Sequence, residues 1–232
     1  MLSERLRRLH NAVAPGARVA DIGCDHARLA IALRRSMRAA CVIASDVAPG
    51  PLRHARLNIA HANIDGIDLR LGFGLDTLKQ NEVDTIVIAG MGAMQMAEIL
   101  ERGKAVLAGV KQLILQPAAE AEPLRCWFLR NGWGIDSEDM FEDGGFYYEL
   151  LTIVPGGARR AYHLNKLSVE LQCVFGPHLV KQNSEVFRTR WRTALPGLEN
   201  IVADMYRSRD PRTMRKRLHF ERRVAFLREF LA

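Results

Sequence analysis

Short apolar runs alternate with amphipathic segments along the first two thirds of the chain. The runs have the length and composition of buried strands, and they lie at residues 18–22, 39–44, 68–71, 83–89, 111–115, 135–141 and 146–154. Helical segments are predicted between or before them, at residues 2–13, 27–35, 51–61, 94–101 and 122–131. Strands that alternate with helices form a mostly parallel sheet, and residues 142–145 have the composition of a hairpin turn. The pattern therefore predicts an α/β, Rossmann-like, seven-stranded sheet with one antiparallel strand near its edge.

The strand signal disappears after Pro155-Gly156-Gly157. Helical spacing continues at residues 164–174, 178–195 and 198–208, and Pro196-Gly197 is expected to kink or break the helix between the last two. A final helix of roughly 30 Å follows, with an apolar seam that runs from Met214 to Leu231. We expect two or three helices packed antiparallel. The sequence therefore predicts one domain at residues 1–157 and a helical, coiled-coil-like domain at residues 158–232.

The composition is that of an ordinary globular protein. Of 232 residues, 48% are hydrophobic and 25% are charged, so the chain can bury a sizeable core. No apolar run approaches the roughly 20 residues that cross a bilayer, and the first residues lack the apolar segment of a signal peptide. The four cysteines form no C-x-x-C pair, which argues against a zinc site or a disulfide framework. We expect a cytoplasmic protein with no metal and no membrane attachment.

Charge is distributed unevenly between the two predicted domains. Residues 1–157 hold 17 Lys and Arg against 19 Asp and Glu, whereas residues 158–232 hold 16 against 7. An anionic partner should therefore be bound largely by the tail. Candidate phosphate contacts are Arg188, Arg192, Arg212, Arg215, Lys216, Arg217 and Arg222, with Arg190, Arg207, Arg209 and Arg223 as further candidates. The same pattern also suits a solvated helical face or a dimerisation hairpin; we expect a monomer, with a dimer through the tail as the alternative.

The first predicted strand ends in Asp21-Ile22-Gly23-Cys24-Asp25-His26. A strand, a tight turn and a helix N-terminus form the geometry that binds nucleotide-like ligands in doubly wound sheets. Asp21 and Asp25 would repel a pyrophosphate, but they suit a cationic or zwitterionic ligand such as S-adenosylmethionine. Asp46, at the end of the second predicted strand, is placed to accept both ribose hydroxyls. The simpler interpretation is that these acids only cap helices.

Other candidate ligand contacts lie at the ends of the remaining strands, because ligands of open α/β sheets bind at the carboxyl edge. Gly23 allows the backbone to approach the ligand closely. Phe73 occupies the place where an acid or Asn usually reads the adenine amine, so only stacking or backbone groups can contribute there. Met91 suits either the core or a ligand pocket. The full set at these strand ends is Gly72, Phe73, Gly74, Ala89, Gly90, Met91, Gly92 and Gln116.

Several motifs occur in a fixed order. They are Leu2-Ser3-x-Arg5-Leu6, Ala20-Asp21-Ile22-Gly23-x-Asp25-His26, residues 83–92, Leu113-Ile114-Leu115-Gln116-Pro117 and Tyr148-Glu149. Together they resemble the TrmK-type tRNA (adenine-N1)-methyltransferases, and Phe175-Gly176-Pro177 resembles the opening of that family's helical domain. The resemblance implies a class I methyltransferase sheet, S-adenosylmethionine as cofactor, and methyl transfer to N1 of the adenine at tRNA position 22.

The implied chemistry is mainly a positioning task, because N1 of neutral adenine carries a lone pair and needs no base. The product is cationic, so a carboxylate would stabilise the developing charge, and Asp25 is the candidate catalytic residue. His26 and Arg5 would lie around the cofactor or the target phosphate. Asp25 suits equally well a helix N-cap or a contact to the cofactor's amino group. Two other functions stay open: a methyltransferase for another RNA or small-molecule acceptor, and a non-catalytic basic RNA-binding protein that retains the cofactor fold.

Overall fold

One seven-stranded sheet organises the protein, whose computed structural model describes residues 2–164 and 166–232. The strands lie in the order β3-β2-β1-β4-β5-β7-β6. Neighbours from β3 to β5 are parallel, and β7 runs antiparallel to both β5 and β6. The predicted sheet with its single antiparallel strand near the edge is confirmed. The strands are β1 Ala17–Ile22, β2 Ala39–Asp46, β3 Ile67–Leu71, β4 Thr85–Ala89, β5 Gln112–Gln116, β6 Trp133–Asp143 and β7 Phe146–Pro155.

Helices cover both faces of the sheet. Ser3 caps the first of them, since its hydroxyl accepts from the Leu6 N–H at 3.3 Å. The helices of this part are α1 Glu4–Ala12, α2 Arg28–Arg35, α3 Pro49–Ala62, α4 Ala93–Arg102, α5 Lys104–Leu107 and α6 Glu122–Asn131, and 3₁₀ turns lie at Gly74–Thr77 and Ala161–His163. No helix within the described residues is long and apolar enough to cross a membrane.

The core is divided by the sheet into two clusters. Along β4, Ile86 and Ile88 belong to one cluster and Val87 to the other, as the alternation of side chains in a strand requires. All three side chains are fully buried. The continuous apolar runs of the sequence therefore correspond to strands that are covered on both faces.

The tail after β7 consists of α7 Val169–Phe175, α8 Pro177–Gln182, α9 Glu185–Tyr206 and α10 Pro211–Leu231. The last two are antiparallel, because Arg188 at the start of α9 donates to the carbonyls of Phe230 and Leu231 at the end of α10, both at 3.0 Å. Phe175 and Trp191 are buried in a third apolar cluster that includes Met140 of the sheet.

The predicted tail helices differ from the observed ones at two points. Pro196-Gly197 was expected to kink or break the helix, and the break is wrong, because α9 continues through it. The proline removes one N–H, but Trp191 and Leu198 pack into the third cluster on either side of it and hold the helix together. The break lies instead at Asn183, which has a left-handed φ of 47° and ends α8 before Ser184 caps α9.

Two predicted apolar segments of the tail are less regular than expected. Helix α7 begins only at Val169, so Leu164 and Leu167 precede it, and residue 165 lies outside the described residues. In α10, Val224 and Leu227 of the predicted seam are buried, whereas Met214 and Leu218 are about half exposed, at 50% and 52%. Only the second half of α10 is therefore a core helix.

A buried ionic group joins the tail to the sheet, and we call its residues Arg125, Glu138 and Glu149 the Arg125 cluster. The Arg125 side chain is completely buried, and its Nε donates to Glu138 Oε1 at 2.6 Å while Nη2 donates to Glu149. Nη1 donates to the carbonyls of Cys173 and Val174 in α7, each at 3.2 Å. The guanidinium therefore holds the C-terminal turn of α7 against β6 and β7.

A second ionic contact attaches α10 farther along the molecule. Arg223 is 6% exposed and donates to Glu122 and, at 3.4 Å, to Glu120 beside the N-terminus of α6. The tail is therefore fixed to the sheet domain through both α7 and α10.

Candidate active site

The loop after β1 makes the sharpest turn at the carboxyl edge of the sheet. Gly23, Asp25 and Ala27 all have left-handed backbone conformations, with φ of 74°, 48° and 55°. The N–H groups of Gly23 and Cys24 both donate to the Ser45 carbonyl, at 2.8 and 2.9 Å. These bonds fix the loop to the end of β2 and bring its carboxylates to the edge of the sheet.

Asp21 is buried in this loop region, with 5% of its surface exposed. Burial raises the pKa of its carboxyl to about 7, an increase that the nearby charge of Asp46 supports and a hydrogen bond from the Ala30 backbone opposes. The contact with Ala30 lies in the first turn of α2, where a carboxylate is favourable. The N-cap of α2, Ala27, has no side-chain cap of its own, so the capping interpretation of Asp21 stays open beside the ligand-binding one.

Asp46, the predicted ribose contact, lies at the end of β2 beside this loop. Its Oδ2 accepts from the Asp25 N–H at 3.3 Å and its Oδ1 accepts from the Ala48 N–H at 2.9 Å. The Asp46 carbonyl accepts from the Gly72 N–H at 3.0 Å. The predicted residues at the ends of β1, β2 and β3 are thus connected by backbone hydrogen bonds.

A cavity of about 310 Å³, which we call the first cavity, opens between this loop and α1. Predicted site residues that line it are Arg5, Asp21, Gly23, Asp25, His26 and Ala89. His26 Nε2 lies 3.6 Å from Asp25 Oδ1, and His26 Nδ1 is buried without a hydrogen-bond partner in the described chain. A Cβ on Gly23 would come within 2.2 Å of the Met91 Cε. Carboxylates, an unpaired imidazole nitrogen and a close backbone approach suit a ligand that carries an ammonium and other polar groups.

A second cavity, of about 430 Å³, adjoins the ends of β4 and β5. Gly90 and Gln116 line it, together with Arg5 and Tyr148, which also line the first cavity. The Gly90 N–H donates to the Gln116 carbonyl at 2.9 Å, so the two strand ends are joined at its base. The sequence predicted Gln116 as a cofactor contact, whereas the structure places it on the second cavity.

The remaining predicted strand-end residues surround these cavities. Met91 packs toward Gly23, and Gly92 is the residue before α4. Phe73 is half-buried against the first core cluster, with the Arg102 guanidinium 4.6 Å from its ring centre, and Gly74 is buried beside Ile99. Neither belongs to the first or the second cavity.

Sequence reasoning did not single out all residues of the site. Tyr148 appeared only as part of a motif, and Asp143 only as part of a hairpin turn, but both line the first cavity. The Arg5 N–H donates to Asp143 Oδ2 at 3.0 Å, and this bond holds α1 over the sheet edge. Arg190 of α9 reaches the second cavity although it was only a further candidate for phosphate contact. The aromatic residues that open β7, Phe146 and Tyr148, were an available signal, since residues two apart share one face of a strand.

Part of the basic tail is used within the protein. Arg188 binds the carbonyls at the end of α10, Arg222 pairs with Glu170 at 2.7 Å, and Arg192 lies 3.7 Å from Glu185. Arg217 pairs with Glu221 at 3.2 Å and covers the Tyr206 ring at 4.1 Å.

Three of the predicted phosphate contacts form no such pair in the described part of the chain. Arg212, Arg215 and Lys216 are exposed on the first half of α10, and their side chains have no ion-pair partner among the described residues. Within residues 2–164 and 166–232, no group of three or more His, Cys, Asp or Glu side chains is arranged to hold a metal ion.

Comparison with known proteins identifies the family of the chain. A family model described as tRNA (adenine(22)-N(1))-methyltransferase, TrmK, matches residues 19–228. The tRNA (adenine(22)-N(1))-methyltransferase of Bacillus subtilis (strain 168) is 33% identical over 218 residues, which are 94% of this chain and 91% of that protein.

Solved structures give the same result. The crystal structure of the B. subtilis M1A22 tRNA methyltransferase TrmK superposes with a TM-score of 0.93 at 31% identity, covering 100% of this chain and 99% of that one. A Streptococcus pneumoniae structure in complex with S-adenosyl-L-methionine superposes with a TM-score of 0.85 at 33% identity, covering 100% of both chains. The chain described here therefore belongs to the TrmK family of tRNA (adenine(22)-N(1))-methyltransferases.

Proposed function

We propose that this protein methylates N1 of the adenine at position 22 of tRNA, with S-adenosylmethionine as the methyl donor. The observation that carries the proposal is the pair of adjoining cavities at the carboxyl edge of the sheet, which share Arg5 and Tyr148. One cavity has carboxylates for a cationic donor, and the other has aromatic and amide groups for a base. Such a pair brings two substrates together, as group transfer requires.

Residues of the first cavity would hold the cofactor. Asp25 and the unpaired His26 Nδ1 are proposed to bind its amino-acid end. Asp46 is proposed to bind its ribose; it is not part of the cavity lining, but it lies beside it and accepts from the Asp25 N–H. S-adenosylmethionine supplies a methyl group on a sulfonium, which adenine N1 attacks; the N–C bond forms as the S–C bond breaks and its electron pair stays on sulfur. The protein's task is to align the two atoms and exclude water.

Asp25 was also the candidate catalytic residue. It lines the first cavity, and it is absent from the lining of the second. Its side chain is 68% exposed, so a ligand in the first cavity can reach its carboxylate. We therefore propose that Asp25 acts chiefly on the cofactor's ammonium, with stabilisation of the cationic product as the alternative that a kinetic test separates.

The proposed tRNA-binding surface is the exposed half of α10, with Arg212, Arg215 and Lys216. In this proposal residues 1–157 are the catalytic domain and residues 158–232 the tRNA-binding domain. Recognition would use the phosphate charge and shape of the tRNA, and the proposed location is the cytoplasm.

The direct test is methylation of tRNA by the purified protein with labelled cofactor. We expect 1-methyladenosine as the product in nucleoside mass spectrometry and a reverse-transcription stop at position 22. A different methylated nucleoside, or a stop elsewhere, contradicts the assigned position. Isothermal titration with S-adenosylmethionine then separates an enzyme for another acceptor, which binds it, from an RNA-binding protein that does not.

The tail is tested by the charge reversal R215E. We expect tRNA binding to weaken several-fold and the slope of log K against log salt concentration to fall by about 0.9, because one phosphate contact is lost. The matched control is R228E, on the same helix, since Arg228 already pairs with Glu199 at 2.8 Å. If R215E leaves the affinity and the slope at their original values, this part of α10 does not bind tRNA.

A further inference from the structure

Among residues 2–164 and 166–232, Gln116 has the one buried side-chain amide in which neither atom has a hydrogen-bond partner. It is 1% exposed, and both Nε2 and Oε1 are buried without a hydrogen-bond partner in the described chain. The half-buried Gln112 and the buried Gln172 differ, because only their Oε1 atoms are unpaired within the described residues. Gln112 Nε2 donates to the Ala12 carbonyl, and Gln172 Nε2 donates to the carbonyls of Tyr162 and Leu167. A buried amide with neither atom bonded is unfavourable in the free protein, because both atoms have lost their hydrogen bonds to water without replacing them. Such an amide is explained if a bound ligand supplies the missing hydrogen-bond donor and acceptor.

The lining of the second cavity indicates what kind of ligand this is. Gln116 shares the cavity with the rings of Phe146, Tyr147 and Tyr148 and with Arg5 and Arg190. No Asp or Glu is part of this lining. Aromatic rings stack on an unpaired base, and arginines suit the phosphate of a nucleotide. The cavity therefore has the composition of a site for a nucleotide that has been turned out of its helix.

The reaction limits which edge of the adenine Gln116 can contact. N1 must face the methyl group, so an amide that bonded to N1 would block the reaction. The adjacent Hoogsteen edge presents the second hydrogen of the N6 amino group as a donor and N7 as an acceptor, and glutamine matches these two atoms in a bidentate pair. Oε1 accepts from N6, Nε2 donates to N7, and N1 stays free.

We propose that Gln116 binds the Hoogsteen edge of the target adenine in this bidentate manner and thereby selects adenine over guanine. The inference rests on the proposed function and adds the contact that recognises the base. Guanine presents O6 in place of the N6 amino group, so Oε1 would face another acceptor. Gln116 is thus a specificity-determining residue, and the methyl transfer itself needs no group from it.

The test replaces N7 of the target adenine in the substrate and the Gln116 side chain in the enzyme. Methylation rates are measured with tRNA that carries adenosine or 7-deazaadenosine at position 22, for the wild type and for Q116L. The deaza base keeps N1 and the N6 amino group but lacks the N7 acceptor. For the wild type we expect kcat/KM to fall about tenfold with the deaza substrate, since Nε2 is left unpaired. For Q116L we expect slower methylation of both substrates and a ratio close to one.

Two results overturn the inference: a wild type that methylates both substrates equally, or a Q116L enzyme that keeps the full tenfold preference for adenosine. The first needs no variant, so it is decisive even if Q116L fails to fold. Q116E is the second variant, and we expect it to favour the deaza substrate, because its carboxylate would face the N7 lone pair. If the wild type does not methylate adenosine at all, the proposed function fails and the inference with it. Methylation of adenosine without any effect of N7 contradicts the inference alone.

Discussion

The Arg125 cluster and the carboxyl edge of the sheet both remove polar groups from water, but they treat these groups differently. In the cluster every guanidinium nitrogen has an acceptor, and Glu138 Oε2 also accepts from the His178 N–H at 2.9 Å. At the edge, Gln116 and the Nδ1 of His26 are buried without a partner in the described chain, and the pKa of Asp21 is raised to about 7 by burial.

The difference separates structural burial from functional burial. Burial by itself would lower the pKa of Arg125, but the attraction of Glu138 and Glu149 outweighs it and raises the pKa, so the cation is held in place. The polar groups at the carboxyl edge are removed from water without a hydrogen-bond partner among the described residues of the free protein, which is unfavourable. Their partners are atoms of the bound ligands. Removing a side chain of the Arg125 cluster should therefore lower the stability of the fold. Removing a polar side chain at the carboxyl edge should change ligand binding more than the stability of the fold.

The largest effect is expected from R125M, which leaves Glu138 and Glu149 buried without their cation. We expect the free energy of unfolding, measured by urea denaturation, to fall by about 3–5 kcal/mol. R228M is the matched control, because Arg228 is 66% exposed in its pair with Glu199 and should contribute less than about 1 kcal/mol. If both variants lose the same free energy of unfolding, the Arg125 cluster contributes no more to stability than an ordinary surface ion pair.

The next effect is expected from D25N at the edge. We expect the KM for S-adenosylmethionine to rise about tenfold with kcat nearly unchanged, because a charged contact to the bound ammonium is lost. The folded protein should be almost as stable as the wild type, since Asp25 is exposed. A fall in kcat at unchanged KM would instead identify Asp25 as the residue that stabilises the cationic product.

A smaller effect, of opposite sign to that of R125M, is expected from D21N. The folded-state pKa of Asp21, about 7, lies above the ordinary 3.8, so folding favours the protonated carboxyl. Its stabilising contribution is complete below about pH 3.8 and is lost as the pH rises through about 7.

The uncharged D21N variant should therefore be more stable than the wild type at pH 8, by roughly 1 kcal/mol or 2–4 °C in Tm. This advantage should shrink as the pH is lowered toward 5. Thermal melting of the cofactor-free proteins across this range measures it, and an advantage that does not change with pH contradicts the assignment. Cofactor binding should weaken in the same variant.

The smallest difference between two variants is expected from the comparison of G23A with G16A. Both glycines have left-handed backbones, with φ of 74° and 78°, so both substitutions should lower stability by about 1 kcal/mol. Only at Gly23 would the new Cβ meet a neighbour, Met91 Cε at 2.2 Å; at Gly16 nothing lies within 4 Å. We expect weaker cofactor binding in isothermal titration for G23A and normal binding for G16A. Equal affinities would argue against close contact between Gly23 and the cofactor.

The sheet could be predicted from the sequence because buried parallel strands are continuous apolar runs that end at chemically distinctive residues. Asp21, Asp46 and Gly90 follow such runs, and topology alone brings them to one edge. Strand ends do not distinguish two neighbouring cavities, so the sequence does not separate Gln116, on the second cavity, from the residues of the first. The distinction depends on where α1 and the hairpin close over the sheet, which involves contacts such as that of Arg5 with Asp143, far apart in the chain.

The tail was predicted less well because tertiary contacts override local signals there. Pro196 is a strong helix breaker in isolation, but packing of its neighbours keeps α9 intact. Arg125 and Arg188 have nothing in their local sequence that marks them as structural, since their acceptors come from other elements. A count of basic residues therefore overstates the charge that is free to meet a phosphate.

Arg5 and Tyr148 belong to the walls of both cavities, and this has a thermodynamic consequence for the order of events. A ligand that orders these two side chains in one cavity also orders them for the other cavity. Binding of the cofactor and binding of the tRNA are then linked. By reciprocity, the factor by which cofactor strengthens tRNA binding equals the factor by which tRNA strengthens cofactor binding. The same linkage acts after methyl transfer: the factor by which one bound product changes the affinity for the other is mutual, so departure of the first product changes the affinity for the second by that factor.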